Sequence, residues 1–281
     1  MKAGATRNYK DGPKNNWRRT HWNDTLLRTD GREKHDYVIY MPGSQDLDRA
    51  VAVRKGVRPE NLIAVDENEE NVQRVRDAGG FAVCADVIDV MLAWPEHRPV
   101  AAVMLDFTGG LSRGNAFVSD ALLRKPFRHS AVSLNLLRGR DGWSNFWRDS
   151  ETEPSVKLHR GRQFIEMMAG HVAGTFYGIG SVDSERIEWA LLQAGRMATA
   201  IARRAQPKYF SYKSGRQVYD SVVFVASGAE EALSQLTAEE SVGFENAVSH
   251  MLRLQTRSVR RAARRLSAMF AIRTMRVRKA A

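Results

Sequence analysis

Four short apolar runs alternate with segments of amphipathic-helix spacing in the first half of the chain. They read YVIYM (37–41), NLIAVD (61–66), FAVCAD (81–86) and VAAVMLDF (100–107). Continuous apolar runs of this length are typical of strands buried on both faces, and helices connecting parallel strands supply that cover. The alternation therefore predicts a doubly wound α/β domain on a mostly parallel sheet.

The segments between and after these runs extend the prediction. We expect helices at 46–56, 68–79, 87–92, 162–173 and 185–205, and a fifth strand at 130–137. Near the end, KYFSYK and QVYDSVVFVA flank a Ser-Gly-Arg turn, which predicts an antiparallel hairpin.

The positive charge of the chain is concentrated at its two ends. The net charge is +11, with +5 in residues 1–34, +10 in residues 251–281 and about −4 in the remainder. A mildly acidic body with basic ends favours a polyanionic partner, and nucleic acid, either RNA or DNA, is the leading candidate.

We divide the chain into three parts on this basis. Residues 1–34 are expected to form a polar, irregular extension that is basic and aromatic, residues 35–228 the α/β domain, and residues 229–281 a helical basic extension. No apolar run is long enough to span a bilayer, no signal-peptide pattern is present, and Cys84 is the single cysteine. We therefore expect a cytoplasmic protein with no internal disulfide and no metal site.

The two basic ends offer candidate nucleic-acid contacts. In the C-terminal segment, Leu252, Val259, Ala263, Leu266 and Phe270 can share one helical stripe while arginines take the other faces. The candidate contacts are Arg257, Arg260, Arg261, Arg264 and Arg265 at this end and Arg18 and Arg19 at the other. An anionic membrane surface, a partner helix or a solvated tail are the alternatives for the C-terminal segment.

Tryptophans stand beside the bases in the N-terminal segment KNNWRRTHWND. Trp17 and Trp22, with His21, can add stacking to charge, as in single-strand binders. They can equally pin the segment to the body of the protein.

Three strands of the predicted sheet end in an aspartate, and one ends in a glycine turn. Gly43 follows the first strand, while Asp66, Asp86 and Asp106 end the next three. Ligands bind beyond the carboxyl ends of parallel strands, so these residues predict a binding site. Asp66 follows Gly43 at the spacing of an acid that accepts from a ribose diol, and Asp86 can accept from an adenine amino group.

Asp106 is the candidate catalytic residue, able to bind the substrate or act as a base. Phe107 and Thr108 follow it directly and are candidates for substrate contact. Asn135, Arg138 and Arg140 leave the fifth strand on the same edge, where they can meet a substrate phosphate or base, or form an ordinary surface loop.

The motifs MPGSQD, AVDENEEN, CADVID and MLDFTGG, with the late hairpin, resemble the class I S-adenosylmethionine-dependent methyltransferases over residues 37–225. The resemblance implies a closing hairpin whose last strand inserts beside its predecessor. It also implies a cofactor site for S-adenosylmethionine formed by Pro42, Gly43, Ser44, Asp66, Glu67, Asp86 and Val87. The loop departs from the family in its single glycine and in Met41-Pro42, where the family carries an acid.

We therefore expect methyl transfer from S-adenosylmethionine to RNA or DNA. Two alternatives remain open at this point. One is a nucleic-acid-binding or assembly protein that retains the fold without catalysis. The other is a methyltransferase for a small molecule or a protein.

Overall fold

The computed structural model describes residues 12–107, 118–122, 124–137, 208–214, 217–226 and 257–276. The helices are α1 (Pro13–Leu26), α2 (Leu47–Arg54), α3 (Glu69–Asp77), α4 (Val87–Ala93), α5 (Val118–Leu122) and α6 (residues 257–276). The strands are β1 (Tyr37–Tyr40), β2 (Leu62–Asp66), β3 (Phe81–Cys84), β4 (Val100–Asp106), β5 (Ala131–Leu137), β6 (Lys208–Ser214) and β7 (Gln217–Val225). Single 3₁₀ turns lie at Arg32–Lys34, Pro59–Asn61 and Lys125–Phe127.

These strands form one seven-stranded sheet in the order β3-β2-β1-β4-β5-β7-β6. The first five are parallel, β7 is antiparallel to β5, and β6 is antiparallel to β7. The last strand thus inserts beside its predecessor, as the family resemblance implies. The predicted doubly wound fold class is confirmed, and the chain has the class I methyltransferase fold.

Helices cover both faces of the sheet, because both faces are apolar. On one face, Trp22 of α1, Val51 of α2 and Val72 of α3 pack with Val38 and Tyr40 of β1. On the other, α4, α5 and α6 pack with a second cluster of strand side chains that includes Ile39, Val65, Val103 and Val132. The strands read as continuous apolar runs for this reason: alternate residues enter opposite cores.

The N-terminal segment is a helix docked on the sheet, which corrects the expectation that it is irregular. Trp17 and Trp22 of α1 are 7% and 0% exposed. Trp17 donates its Nε1–H to Ser221 Oγ of β7 at 2.9 Å, and His21 Nδ1 lies 2.8 Å from Ser133 Oγ of β5. Of the two interpretations of these aromatics, the structure supports the one in which they pin the segment to the body.

The C-terminal helix α6 is also part of the fold. Ala262, Leu266, Met269 and Phe270 are buried, and Val259 is partly buried against the same cluster. Three of the five residues of the predicted stripe therefore face the sheet or its border, while Ala263 is half-buried beside them and Leu252 lies outside the described residues.

Aromatic rings fasten the second half of α6 near the start of β1. Phe270 meets Tyr37 and Trp94 edge-on, each at 5.5 Å between ring centroids, and the Arg98 guanidinium lies 4.0 Å from its centroid. Arg273 donates to the backbone oxygen of Glu60 at 2.8 Å. Buried aromatic pairs of this geometry add to the burial term, so this cluster fixes the position of α6.

The predicted bounds of β1 to β7 and of α2, α3 and α4 agree with the structure to within two residues, whereas α1 and α5 were not predicted. Two expected helices, 162–173 and 185–205, lie outside the described residues. Among the described residues, no helix combines the length and the apolar character needed to cross a membrane.

We expect Phe270→Ala to lower the free energy of unfolding by about 3 kcal/mol, because it removes a nearly buried ring and leaves a cavity. Phe270→Leu, which keeps most of the volume, is expected to cost about 1 kcal/mol. Urea unfolding followed by tryptophan fluorescence measures both. A change below about 0.5 kcal/mol for the alanine variant would contradict the docking of α6 on the sheet.

Candidate functional site

The loop after β1 leaves the sheet between two carboxylates. Tyr40, the last residue of β1, pairs with Ala64 of β2 and with Met104 of β4. Asp66 and Asp106 each lie two residues beyond those partners, at the carboxyl ends of their strands. From β1 the chain continues to β2 and β3 on one side, and from β4 it continues to β5 on the other. The strand order therefore reverses between β1 and β4, and this loop stands at the switch point where open α/β sheets bind ligands.

Gly43 is required by the turn itself, and the space beside it is open. Its φ of +58° lies in the left-handed region that favours glycine, and a Cβ placed there would meet nothing within 4 Å. Pro42 before it is buried, and Ser44 after it is exposed, with its backbone oxygen accepting from Arg74. One glycine therefore suffices for the turn, and the exposed backbone leaves room for a ligand.

The Asp66 side chain is held in place by its own neighbours in sequence. One carboxyl oxygen accepts from the backbone N–H of Asn68 and the other from the side-chain amide of Asn71, both at 2.9 Å. Each carboxylate oxygen can accept more than one hydrogen bond, so a held and half-buried Asp66 retains capacity for a ligand.

Asp86 begins α4 and lies at the next strand end. Its side chain accepts from the backbone N–H of Ile88 at 2.7 Å and caps the helix. Burial raises the pKa of Asp86 against the hydrogen bonds from the helix start. Val87 beside it is buried, while Glu67 is exposed and has its pKa raised by partial burial and by the nearby Asp86 and Asp66.

Asp106 is engaged through both of its carboxyl oxygens. Lys14 Nζ of α1 lies 2.8 Å from Oδ2, and Asn135 Nδ2 of β5 donates to Oδ1 at 2.6 Å. Burial lowers the pKa of the Lys14 ammonium, but the attraction of Asp106 outweighs it and the pKa is raised overall. The pair is therefore an ion pair with a fully charged lysine.

The engagement of Asp106 continues into the closing hairpin. Ser221 of β7 donates to Asn135 Oδ1 at 2.5 Å, and Asn135 Nδ2 also donates to the Tyr212 hydroxyl of β6 at 3.2 Å. Tyr212 stacks on Tyr219 with 5.0 Å between centroids. We call Lys14, Asp106, Asn135, Ser221 and Trp17 the Asp106 network, since it orders the end of β4 from three directions.

Asp46 is a half-buried acid in the same loop as Gly43, and it is not among the residues predicted from the sequence. Its φ of +47° is left-handed, and its side chain does not cap the helix that it precedes. Tyr40 donates its hydroxyl to Asp46 Oδ1 at 2.9 Å. Burial raises the pKa of Asp46 to about 6 despite that hydrogen bond. A partly desolvated carboxyl with left-handed backbone, at the switch point of the sheet, is typical of functional sites.

The structure also places the remaining predicted residues. Phe107 is half-buried beside β5, with its N–H bonded to the Asn135 backbone oxygen at 3.1 Å. Thr108, Arg138 and Arg140 lie outside the described residues. Arg19 is exposed, and so are all five arginines predicted on α6.

Arg18 is a structural residue, which corrects the expectation that it contacts nucleic acid. It is 5% exposed, and its Nε donates to Asp48 Oδ2 of α2 at 2.8 Å. Trp22 donates to the other oxygen of Asp48 at 2.7 Å. Burial raises the pKa of Asp48, opposed by the Arg18 guanidinium, so Arg18 compensates a buried acid and does not face a ligand.

The sequence carried a signal for Asp46 but none for Lys14. Asp46 follows the loop glycine by three residues, and an acid there can replace the acid that the family carries before its glycine. Lys14 lies far from Asp106 in the sequence, and only the docking of α1 brings the two charges together. Among the described residues, no group of three or more His, Cys, Asp or Glu side chains could hold a metal ion.

Comparisons with known proteins show similarity in structure alone. No protein-family model and no curated protein matches the chain. The O-methyltransferase TomG from Streptomyces achromogenes, involved in tomaymycin synthesis and in complex with S-adenosylmethionine, matches with 10% identity and a TM-score of 0.41, covering 74% of this chain and 80% of that one. An O-methyltransferase from Bacillus cereus in complex with S-adenosylhomocysteine matches with 9% identity and a TM-score of 0.41, covering 79% and 84%.

A third similar structure is Trm1 from Pyrococcus horikoshii with S-adenosyl-L-methionine. It matches with 13% identity and a TM-score of 0.36, covering 76% of this chain and 57% of that one. At identities and scores of this size, the strand order and strand directions of this chain remain the basis of the fold assignment.

We expect Asp46→Asn to be more stable than the wild type at pH 8, by on the order of 1–2 kcal/mol after discounting for partial exposure. Burial holds the proton on Asp46 up to a pH of about 6, whereas the unfolded chain releases it near its ordinary pKa of 3.8. The contribution of Asp46 to stability is therefore greatest below pH 3.8, the pKa in the unfolded chain. It declines as the pH rises from there through about 6, the pKa in the folded protein.

Urea unfolding at pH 5 and pH 8 measures this difference. The advantage of the asparagine variant should be smaller at pH 5. An advantage that is absent at pH 8, or that grows toward pH 5, would contradict a raised pKa for Asp46.

We expect Lys14 and Asp106 to be coupled by about 1–2 kcal/mol in a double-mutant cycle with Lys14→Met and Asp106→Asn. Their side chains are 13% and 19% exposed. Lys14→Met therefore leaves the largely buried Asp106 carboxylate without its cation, and Asp106→Asn leaves the largely buried Lys14 ammonium without its anion. The control cycle uses the pair Arg76 and Glu69, whose side chains are 40% and 61% exposed. That exposed pair should couple by less than about 0.5 kcal/mol, and equal coupling in both cycles would contradict the network.

Proposed function

We propose that this protein is an S-adenosylmethionine-dependent methyltransferase and that its acceptor is a nucleic acid, RNA or DNA. The observation that carries the proposal is the position of the Gly43 turn. It leaves the switch point of the sheet with open space beside it, between the carboxylates of Asp66 and Asp106. That arrangement supports binding of a nucleoside whose reactive end faces the end of β4.

The residues present fit this cofactor. Asp66, oriented by Asn68 and Asn71, is suited to accept from the ribose hydroxyls, and Asp86 with Val87 to meet the adenine. Asp46 supplies an acid to the loop, where it can oppose the amino group of the methionine part. When bound, S-adenosylmethionine supplies an activated methyl group on a sulfonium.

Asp106 and Lys14 stand where the acceptor would lie. A methyl transfer needs mainly the alignment of the acceptor with the donor, and removal of a proton where the acceptor requires it. Asp106 can orient an acceptor N–H or O–H with a carboxyl oxygen that is already fixed by Asn135. A proton taken from the acceptor would neutralise Asp106 and so weaken its ion pair with Lys14.

The charge of the chain supports a nucleic-acid acceptor. The net charge is +11, and every predicted arginine of α6 is exposed. Binding of a polyanion to such a surface is favoured, because the arginines displace counterions from the polyanion and release them into solution. Small neutral acceptors would derive no benefit from it.

A second candidate is a nucleic-acid-binding protein that keeps the fold without catalysis. The observation that favours it is the engagement of both Asp106 oxygens, by Lys14 and by Asn135. In that case the Asp106 network would be structural.

Calorimetric titration with S-adenosylmethionine and S-adenosylhomocysteine tests the proposal. We expect micromolar binding of both, and a loss of about 10- to 100-fold with Asp66→Ala, which removes charge-assisted hydrogen bonds. Asp77→Ala on the exposed end of α3 is the control, and it should leave binding unchanged.

Binding lost only in the Asp66 variant would justify screening RNA and DNA for transfer of a labelled methyl group. If neither compound binds the wild type, the methyltransferase proposal fails and the second candidate is favoured.

A further inference from the structure

We infer that the exposed arginines of α6 form a preorganised docking surface for the phosphodiester backbone of RNA or DNA, at the cofactor edge of the sheet. The choice of partner rests on the proposed function, but the surface itself is tested independently of the cofactor. We call Arg257, Arg260, Arg261 and Arg264 the arginine stripe.

The arginine stripe lies opposite the buried side of the helix. Its members recur at intervals of three and four residues, the spacing of one helical face, and all of them are exposed. Ala262, Leu266 and Phe270 face the sheet. Over about two turns, or roughly 10 Å at 1.5 Å per residue, the outer surface of α6 is thus almost purely cationic.

The stripe carries unrelieved repulsion. Arg257 and Arg261, and Arg260 and Arg264, are like charges four residues apart, each pair costing about 0.2–0.5 kcal/mol. No member pairs with an acid within the described part of the chain, and residues 251–281 contain no Asp or Glu at all. A phosphate backbone would relieve this repulsion, because arginine binds phosphate oxygens through two parallel hydrogen bonds.

Several other arginines of the protein are bound to partners within it. Arg32 is bound to Asp36, and Arg76 to Glu69, at 3.0 and 2.9 Å. On α6 itself, Arg265 donates to the backbone oxygen of Cys84, and Arg276 lies over the Phe81 ring at 5.5 Å from its centroid. The structure therefore distinguishes anchoring arginines from those of the stripe.

The anchoring residues hold the stripe in a fixed position. The Phe270 cluster and Arg273 fasten the second half of α6 beside the amino ends of β1 and β2. A helix held in this way does not have to be ordered when a ligand binds, so less of the interaction energy is lost.

The stripe half of the helix lies at the opposite edge of the sheet, where the cofactor residues are. Ser258 is hydrogen-bonded to Asp89 of α4, one turn after Asp86. Arg265 reaches Cys84, the last residue of β3. A nucleic acid on the stripe would therefore lie alongside the proposed adenine end of the cofactor site.

The same geometry argues against a membrane surface as the partner. An interfacial helix inserts its apolar face into the lipid boundary. The apolar face of α6 is packed against the sheet and is not available for insertion. Phosphate charges can be reached without insertion, and sequence would not be read by such contacts.

The test replaces the four members of the stripe by glutamine, which keeps helix propensity and side-chain length. The control also introduces four glutamines, in place of Lys34, Arg54, Arg58 and Lys125, which are exposed bases toward the amino-end edge of the sheet. It therefore lowers the net charge by the same amount as the stripe variant. Fluorescence anisotropy measures binding of a labelled 20-nucleotide single-stranded RNA and of a duplex DNA of the same sequence, over a range of salt concentrations.

We expect the stripe variant to lose at least about 30-fold in affinity near 0.1 M salt. The slope of log affinity against log salt should fall by about 3, since four phosphate contacts contribute about 0.7–0.9 each. The control variant should stay within about threefold of the wild type. The probe that binds more tightly identifies RNA or DNA as the source of the phosphates.

Three results would overturn the inference: wild-type protein that binds neither probe, a stripe variant that binds as the wild type does, or a control variant with an equal loss. The calorimetric titration of the wild type separates this failure from that of the proposed function. Cofactor binding without nucleic-acid binding would contradict only the inference of a docking surface. Nucleic-acid binding through the stripe without cofactor binding would contradict only the proposed methyltransferase function.

Discussion

A parallel sheet with two apolar faces cannot be left open to water on either of them. The strands β1 to β5 have buried residues directed to both faces, and two separate hydrophobic clusters result. Among the described residues, α2 to α5 supply only part of this cover. In the described part of the chain, α1 adds cover on one face and α6 on the other. Burial of the sheet is thus the constraint that organises the rest of the molecule.

The cover on the first face also introduces polar groups that must be satisfied. Trp17, Arg18, His21 and Trp22 each bring a donor or a charge into a buried region, and each meets a partner on the sheet or on α2. Buried polar groups are costly unless they are paired, so these contacts fix the position of α1 closely. Lys14 then reaches Asp106, so a helix that covers a hydrophobic face also orders the carboxyl end of β4 in the candidate site.

Two features of the structure oppose stability and lie on the same edge of the sheet. Asp46 is desolvated, left-handed and beside the open turn. The arginine stripe gathers like charges with no acid to relieve them in the described part of the chain. Both would be improved by simple substitutions if stability alone mattered. Both features lie at the carboxyl edge of the sheet. A binding site for charged ligands at that edge would explain them, because such sites hold charges that the free protein does not compensate.

The sequence by itself determined the parts of the fold that depend on local pattern. Apolar runs, helix spacing and the Ser-Gly turn place β1 to β5, α2, α3, α4 and the hairpin, and the strand ends mark Gly43, Asp66, Asp86 and Asp106 as one edge. These signals are short in range, and period and turn chemistry decide them.

The tertiary structure alone decided which charges serve the fold and which face solvent. Arg18 and Arg19 are adjacent, yet one compensates the buried Asp48 and the other is exposed. Arg265 binds the backbone at β3 while Arg264 beside it belongs to the stripe. Neither difference can be read from residue type, because the energy of a charge depends on burial and on partners far away in the sequence. The pairing of Lys14 with Asp106 has the same origin.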